Sequence, residues 1–240
     1  MSDKWTSEST PNQVAGEARS RSVDEGLRIY MNKVYGYMSG GLLITAIAAY
    51  FGASSGIYQA IAATPLVYVL MFAPLGMVLF LSARLHKMSS SSAQTMFWVY
   101  AGLMGLSLSY ILLVYTGVSV VRTFLITAAS FGALSLYGYT TKRDLSGMGS
   151  FLFMGLIGLI LASVVNMFMQ SSAMHFVISV IGVLIFAGLT AYDTQDIKRM
   201  YYAGDTREVA EKKAIMGALR LYLDFINMFL FLLQFLGNRD

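Results

Sequence analysis

Seven apolar stretches run through this chain, each long enough to cross about 30 Å of hydrocarbon at ~1.5 Å per residue. They cover residues 33–53, 65–84, 94–115, 119–140, 148–169, 173–194 and 213–236. Composition agrees: 56% of residues are hydrophobic, 12% are charged and the mean hydropathy is +0.61. A soluble domain carries about 25% charged residues, so a water-facing surface of ordinary makeup is excluded. The expected fold is an all-α polytopic membrane protein. One seven-helix domain occupies 31–240 behind a polar tail at 1–30. That tail, with Pro11 and Gly16, reads as mobile, with an amphipathic helix near Val23–Tyr30. It is too long and too acidic for the leading region of a signal peptide, so uncleaved insertion of the first helix is expected. The gap at 116–118 is so short that helices three and four are expected to form a tight hairpin.

Charge placement orients the bundle. With the N-terminus inside, the inner side collects Lys4, Arg19, Arg21, Arg28, Lys33, Arg84, Lys87, Lys142, Arg143, Lys198, Arg199, Arg207, Lys212, Lys213 and Arg220. Only Arg122 and Arg239 of the 17 Lys and Arg fall outside. An excess of basic residues on cytoplasmic loops is the rule for such proteins, so the expected orientation is N-in and C-out.

Several classes of chemistry drop out. The chain has no cysteine, which removes disulfides and thiolate metal sites. His86 and His175 are its only histidines, too few for a multi-histidine metal centre. No phosphate-binding loop, dinucleotide fingerprint, zinc-protease motif or serine nucleophile motif is present. No enzyme activity, no cofactor and no nucleic-acid partner is expected. Gly36 with Gly40, Gly102 with Gly105 and Gly155 with Gly158 are spaced to allow close helix approach.

Two aspartates remain inside apolar helices, and a carboxylate there costs roughly 2.5–3.5 kcal/mol on insertion scales. Asp193 lies near the inner end of helix six, with Lys198 and Arg199 following within about 8 Å of helix rise. Asp224 lies 11 residues past Lys213, roughly 16 Å deep if helix seven enters there. Asn227 shares its face, and Arg220, four residues earlier, could pair with it along the same helix. The two depths differ. Contact between the aspartates requires helix seven to begin below the membrane surface or helix six to carry Asp193 deeper. In contact, both cannot ionise cheaply; they share a proton and form a proton sensor, and when ionised they attract a hard cation such as Ca²⁺. Arg84, at the inner end of helix two, either reaches lipid phosphates or latches onto this pair.

These residues carry a resemblance. Ala191-Tyr192-Asp193-Thr194-Gln195-Asp196-Ile197-Lys198 and Leu221-Tyr222-Leu223-Asp224-Phe225-Ile226-Asn227 resemble the last two helices of the Bax inhibitor-1 family (transmembrane Bax inhibitor motif proteins). The likeness covers roughly 28–238, including Tyr37-Met38 through Gly41-Leu42. It implies six helices around a central seventh and a pH-sensitive calcium leak. Asp193 and Asp224 would be the sensor and the site of transient Ca²⁺, with no fixed metal, and Arg84 the latch. Arg220 is not part of the carried-over motif and would favour ionised Asp224; Arg220 and Asn227 are read as modulators. The resemblance also implies that some bacterial members partner a membrane protease and that eukaryotic ones suppress cell death. The tail Asn238-Arg239-Asp240 lacks the basic end of animal members, which points to a bacterial inner-membrane protein. The leading reading is therefore a cation leak with lipid, protons and Ca²⁺ as its partners. The rival is an interaction protein that modulates another membrane complex, such as a quality-control protease. A proton-coupled transporter is a weaker alternative.

Overall fold

A computed structural model describes the backbone of residues 11–238 and the side chains of residues 23–238 other than His86. Among the described residues the regular structure is entirely helical: α1 (Pro11–Ser54), α2 (Ile57–Ala62), α3 (Leu66–Arg84), α4 (Ser90–Ser107), α5 (Ile111–Val114), α6 (Gly117–Thr140), α7 (Ser146–Met169), α8 (Ser172–Met200) and α9 (Arg207–Leu236). One-turn 3-10 helices follow α3 and join α4 to α5. Seven spans are long and apolar enough to cross a membrane, with α4 and α5 forming one of them. All seven expected stretches are present. α1 is longer than expected and unbroken through residue 30; Tyr30 and Met31 are already buried in the core. Residues 1–10 of the expected tail, and the side chains of Arg19, Arg21 and Arg239, lie outside the described residues.

Helix starts follow local chemistry. Ser89, Thr116, Ser171 and Thr206 each accept a hydrogen bond from the backbone N–H three residues on, which satisfies a donor that the helix leaves free. Gln170 closes α7 in the left-handed conformation at φ 51°.

The last helix is the centre. The apolar stretch of α9 is 67% buried, against 11% for α3 and for α7. α1, α4, α6 and α8 pack directly on α9, while α3 lies mainly against α4 and α7 against α8. Aromatic rings fill this core. Tyr222 stands edge-on to Phe97 and Tyr100 at 6.0 and 5.7 Å, and Phe225 edge-on to Phe124 and Phe131 at 5.4 and 5.5 Å. The Tyr222 hydroxyl meets Thr45 Oγ1 at 2.6 Å, and Thr45 donates to the Ala101 carbonyl. The outer surface is apolar as lipid contact requires, with Phe72, Leu79, Phe151 and Phe168 all exposed.

The short link at Tyr115-Thr116 does not make the tight hairpin expected of helices three and four. α4 turns to α1 and α3, and α6 to α8 and α9, because each finds its buried partners on opposite sides of the central helix. Of the paired glycines, Gly105 does bring backbones together: a Cβ there would stand 2.4 Å from the Thr45 carbonyl oxygen. Gly36 and Gly158 face open space and are not packing points. The tightest crossing is at Gly138, where a Cβ would lie 2.2 Å from the Ala191 carbonyl oxygen on α8. Gly138→Ala should therefore destabilise the detergent-solubilised protein by about 1–3 kcal/mol, while Gly158→Ala should be neutral or slightly stabilising. Thermal unfolding of the two variants side by side checks this.

Candidate functional site

The α8–α9 pair sets the geometry of the site. Lys213 Nζ donates to the Met200 carbonyl at 3.0 Å, Gly217 lies under Ile197, and Arg220 sits level with Asp193 and Asp196. In that register α9 starts about two turns past the end of α8, so its early residues Arg207–Lys213 lie beyond the end of its partner. The depths of the two aspartates then match. Asp193 and Asp224 are 8% and 4% exposed, and their carboxyls lie within interaction distance of each other. Asp224 Oδ2 is buried with no hydrogen-bond partner among the described residues.

The positive charge at this pair is Arg220. Its Nη2 lies 3.0 Å from Asp193 Oδ1 and its Nη1 donates to Asp196 Oδ2 at 2.5 Å. The pairing expected along α9, Arg220 with Asp224, is thus replaced by a bridge across to α8, because the antiparallel neighbour offers two carboxylates one turn apart. Tyr192 of α8 and Tyr30 of α1 also face this group; the Tyr30 hydroxyl is buried and unpartnered among the described residues. Arg84 is exposed and makes no hydrogen bond or ion pair among the described residues, so this structure does not bring it to the aspartates. Asn227 Nδ2 donates to the Leu223 carbonyl at 2.8 Å, and Asn227 lines the same space.

That space is a cleft of about 1120 Å³ between α7, α8 and α9, with Leu75 of α3 at its edge. Asp193, Arg220, Asp224 and Asn227 form its polar end; Leu156, Leu159, Phe186 and Leu189 are among its apolar walls. Among the described residues no set of three or more His, Asp or Glu side chains is placed to hold a metal ion.

Lys198 and Arg199, which follow Asp193, are engaged elsewhere. Lys198 Nζ donates to the Tyr139 carbonyl at 2.9 Å and lies over the Tyr139 ring. Arg199 Nη1 lies 2.8 Å from Asp144 Oδ1 in the loop between α6 and α7. Gln195 grips the same loop, donating to the Arg143 carbonyl and accepting from the Leu145 N–H. Asp144 is exposed. Bonds from the Ser146 hydroxyl and backbone N–H, and then from Arg199, hold its carboxyl down to about 2. On the α1 side, Lys33 and Tyr37 both bond Glu211 of α9.

The sequence reading missed Asp196 as a partner of Arg220. A signal for it existed: Asp196 lies one turn from Asp193 on the same face, and Thr206 with Glu208 marks a helix start ahead of Lys213.

Comparison with known proteins places the chain. Residues 27–240 match the family model described as inhibitor of apoptosis-promoting Bax1. A Rickettsia prowazekii protein is 53% identical over 92% of this chain and 94% of its own length. The inner membrane protein YbhL of Escherichia coli is 50% identical, covering 89% of this chain and 93% of the relative. A membrane protein of Streptococcus pyogenes is 37% identical over 90% of this chain and 96% of the relative. With the paired aspartates lying where the two motifs place them, and with relatives matched along nearly their whole length, this chain belongs to the Bax inhibitor-1 family of membrane proteins.

Proposed function

We infer that this protein is a passive, pH-modulated cation leak of the inner membrane, with Ca²⁺ the ion carried and the N-terminus cytoplasmic. The observation that carries this reading is the Asp193–Asp224 pair, bridged by Arg220 and set at the end of a large cleft within the spanning helices. Buried ionisable groups at such a depth are expensive, and facing a cavity is the arrangement that marks ion and proton pathways. Basic residues gathered at one end of the described helices support the orientation, with Arg122 alone near the other.

The proposed mechanism is electrostatic. Ionised Asp193 holds the Arg220 guanidinium and keeps α8 and α9 locked in register. Protonation of the pair removes part of that attraction, so the bundle shifts toward an arrangement in which the cleft conducts. In that arrangement Arg84, unpaired among the described residues, is available to the remaining carboxylates. No catalytic step and no cofactor enters.

Ca²⁺ flux into proteoliposomes across pH 5–8 is the test. Wild-type flux should rise toward acid pH, by about fivefold or more if the lock is worth about 1 kcal/mol. Asp193→Asn and Asp224→Asn should each flatten the dependence. Arg220→Gln should raise flux at pH 8 toward the acid level. A protein that shows no flux above protein-free liposomes at any of these pH values is not a leak.

The exposed Asp144–Arg199 pair serves as an internal control. The Asp144 carboxyl is held below its unfolded value, so whatever it contributes is present above pH ~4 and is lost only as pH falls through about 2. Asp144→Asn should therefore leave the shape of the pH 5–8 profile unchanged.

A second reading, an interaction protein acting on another membrane complex, draws on one observation. Residues 23–29 of α1 bury no side chain, and the helix continues from there back to Pro11, a natural handle for a partner. Deleting residues 1–25 separates the readings: flux should survive the deletion, whereas a role exercised through the tail should be lost.

A further inference from the structure

A buried proton sensor needs water to reach it, and Asp224 is 4% exposed. At the basic end of the cleft Arg220, its side chain 32% exposed, and its two carboxylate partners stand between solvent and Asp224. The other end is different. A second cavity of about 650 Å³ lies between the same three helices at the far end of the bundle, lined by Asn166, Gln170, Ser171, His175 and Gln234. These side chains are polar and mostly neutral, the lining a hydrated cation or a file of water tolerates.

The two cavities share a wall. Ser163, Met167 and Phe231 line both. Phe231 stands seven residues past Asp224, about 10 Å along α9 and on the face that carries Asn227. Its ring is held from the α8 side. It stacks on Phe186 with centroids 5.9 Å apart and planes 23° from parallel, and it covers Gly182, where an added Cβ would stand 2.6 Å from the ring. Gly182 therefore makes the seat that lets so large a ring lie close against α8 where the two cavities meet. An apolar ring between a polar vestibule and the apolar walls that lead to the aspartates repels water until it moves, as hydrophobic constrictions in channels do.

We propose that the far-end cavity is the vestibule of the route to Asp193 and Asp224, and that Phe231, seated on Gly182 and Phe186, is the gate dividing the two. The proposal names the path and gate of the leak described above and so rests on that reading for what flows. Water access to the aspartates is tested independently of flux.

The absence of cysteine makes the test direct. Single cysteines are placed at Asn227, on the aspartate side of the ring, and at Gln234, on the vestibule side. The full-length protein in nanodiscs is then labelled with a water-soluble thiol reagent. Gln234→Cys should react readily with or without Phe231. Asn227→Cys should react slowly beside native Phe231 and several-fold faster beside Phe231→Ala. Phe231→Leu, which keeps an apolar plug and guards against loss of the α8–α9 packing, should give an intermediate rate. Equal rates for Asn227→Cys across all three backgrounds overturn the gate. So does acceleration by Arg220→Ala but not by Phe231→Ala, which would place the entrance at the basic end. If labelling responds to Phe231 but no liposome flux exists, the route stands and the leak reading alone falls. If flux exists and labelling ignores Phe231, the gate alone falls.

Discussion

A charge inside hydrocarbon must be met by another group of the same chain, and here that demand fixes how α8 lies on α9. Arg220 can satisfy Asp193 and Asp196 together only in one antiparallel register. That register puts Ile197 over Gly217, Lys213 on the end of α8 and Asp224 against Asp193. A slip of one residue would turn Arg220 about 100° away and leave the buried Asp193 without its cation, a larger penalty than any single apolar contact returns. The paired carboxyls are thus a product of the same bridge that holds the two helices in place.

Around this pair the rest of the bundle is sorted by burial. α9 sits at the centre because its faces carry both the large rings and the site, while α3 and α7 present apolar surface to lipid almost all round. Polar contacts within the span are few and internally closed. Tyr35 meets Ser135, which meets Thr194, and Tyr222 meets Thr45. These hydroxyls brought into the membrane find partners on another helix, so the chains they form also set rotation about the helix axes.

Much of this was legible in the residues. Length and hydropathy mark all seven spans, because lipid leaves the backbone no alternative to the helix. The two motif aspartates are visible because carboxylates are so costly in apolar runs. What the sequence did not reveal is relational. Whether Asp193 meets Asp224 depends on how far α9 extends before it turns inward, a matter of a few residues around Thr206 that hydropathy does not register. The partner of Arg220 depends on the neighbouring helix and not on its own, which is why the pairing with Asp224 looked equally available. The expected hairpin of helices three and four failed for a similar reason. A two-residue link brings helix ends together but does not decide which faces bury each other.

The central helix is also tied at both of its ends. Near its start Glu211 is held by Lys33 and Tyr37 of α1. Beyond its finish the Asn238 carbonyl accepts from the Thr116 N–H, and the Asn238 N–H donates to Ser119. A rod fixed to the frame at both tips resists sliding along its own axis. α3 and α7, which border the cleft yet scarcely touch that rod, have no such anchorage to it. The molecule is therefore divided into an anchored frame, α9 with α1, α4, α6 and α8, and two lipid-facing helices that border the cleft while packing mainly on α4 and α8.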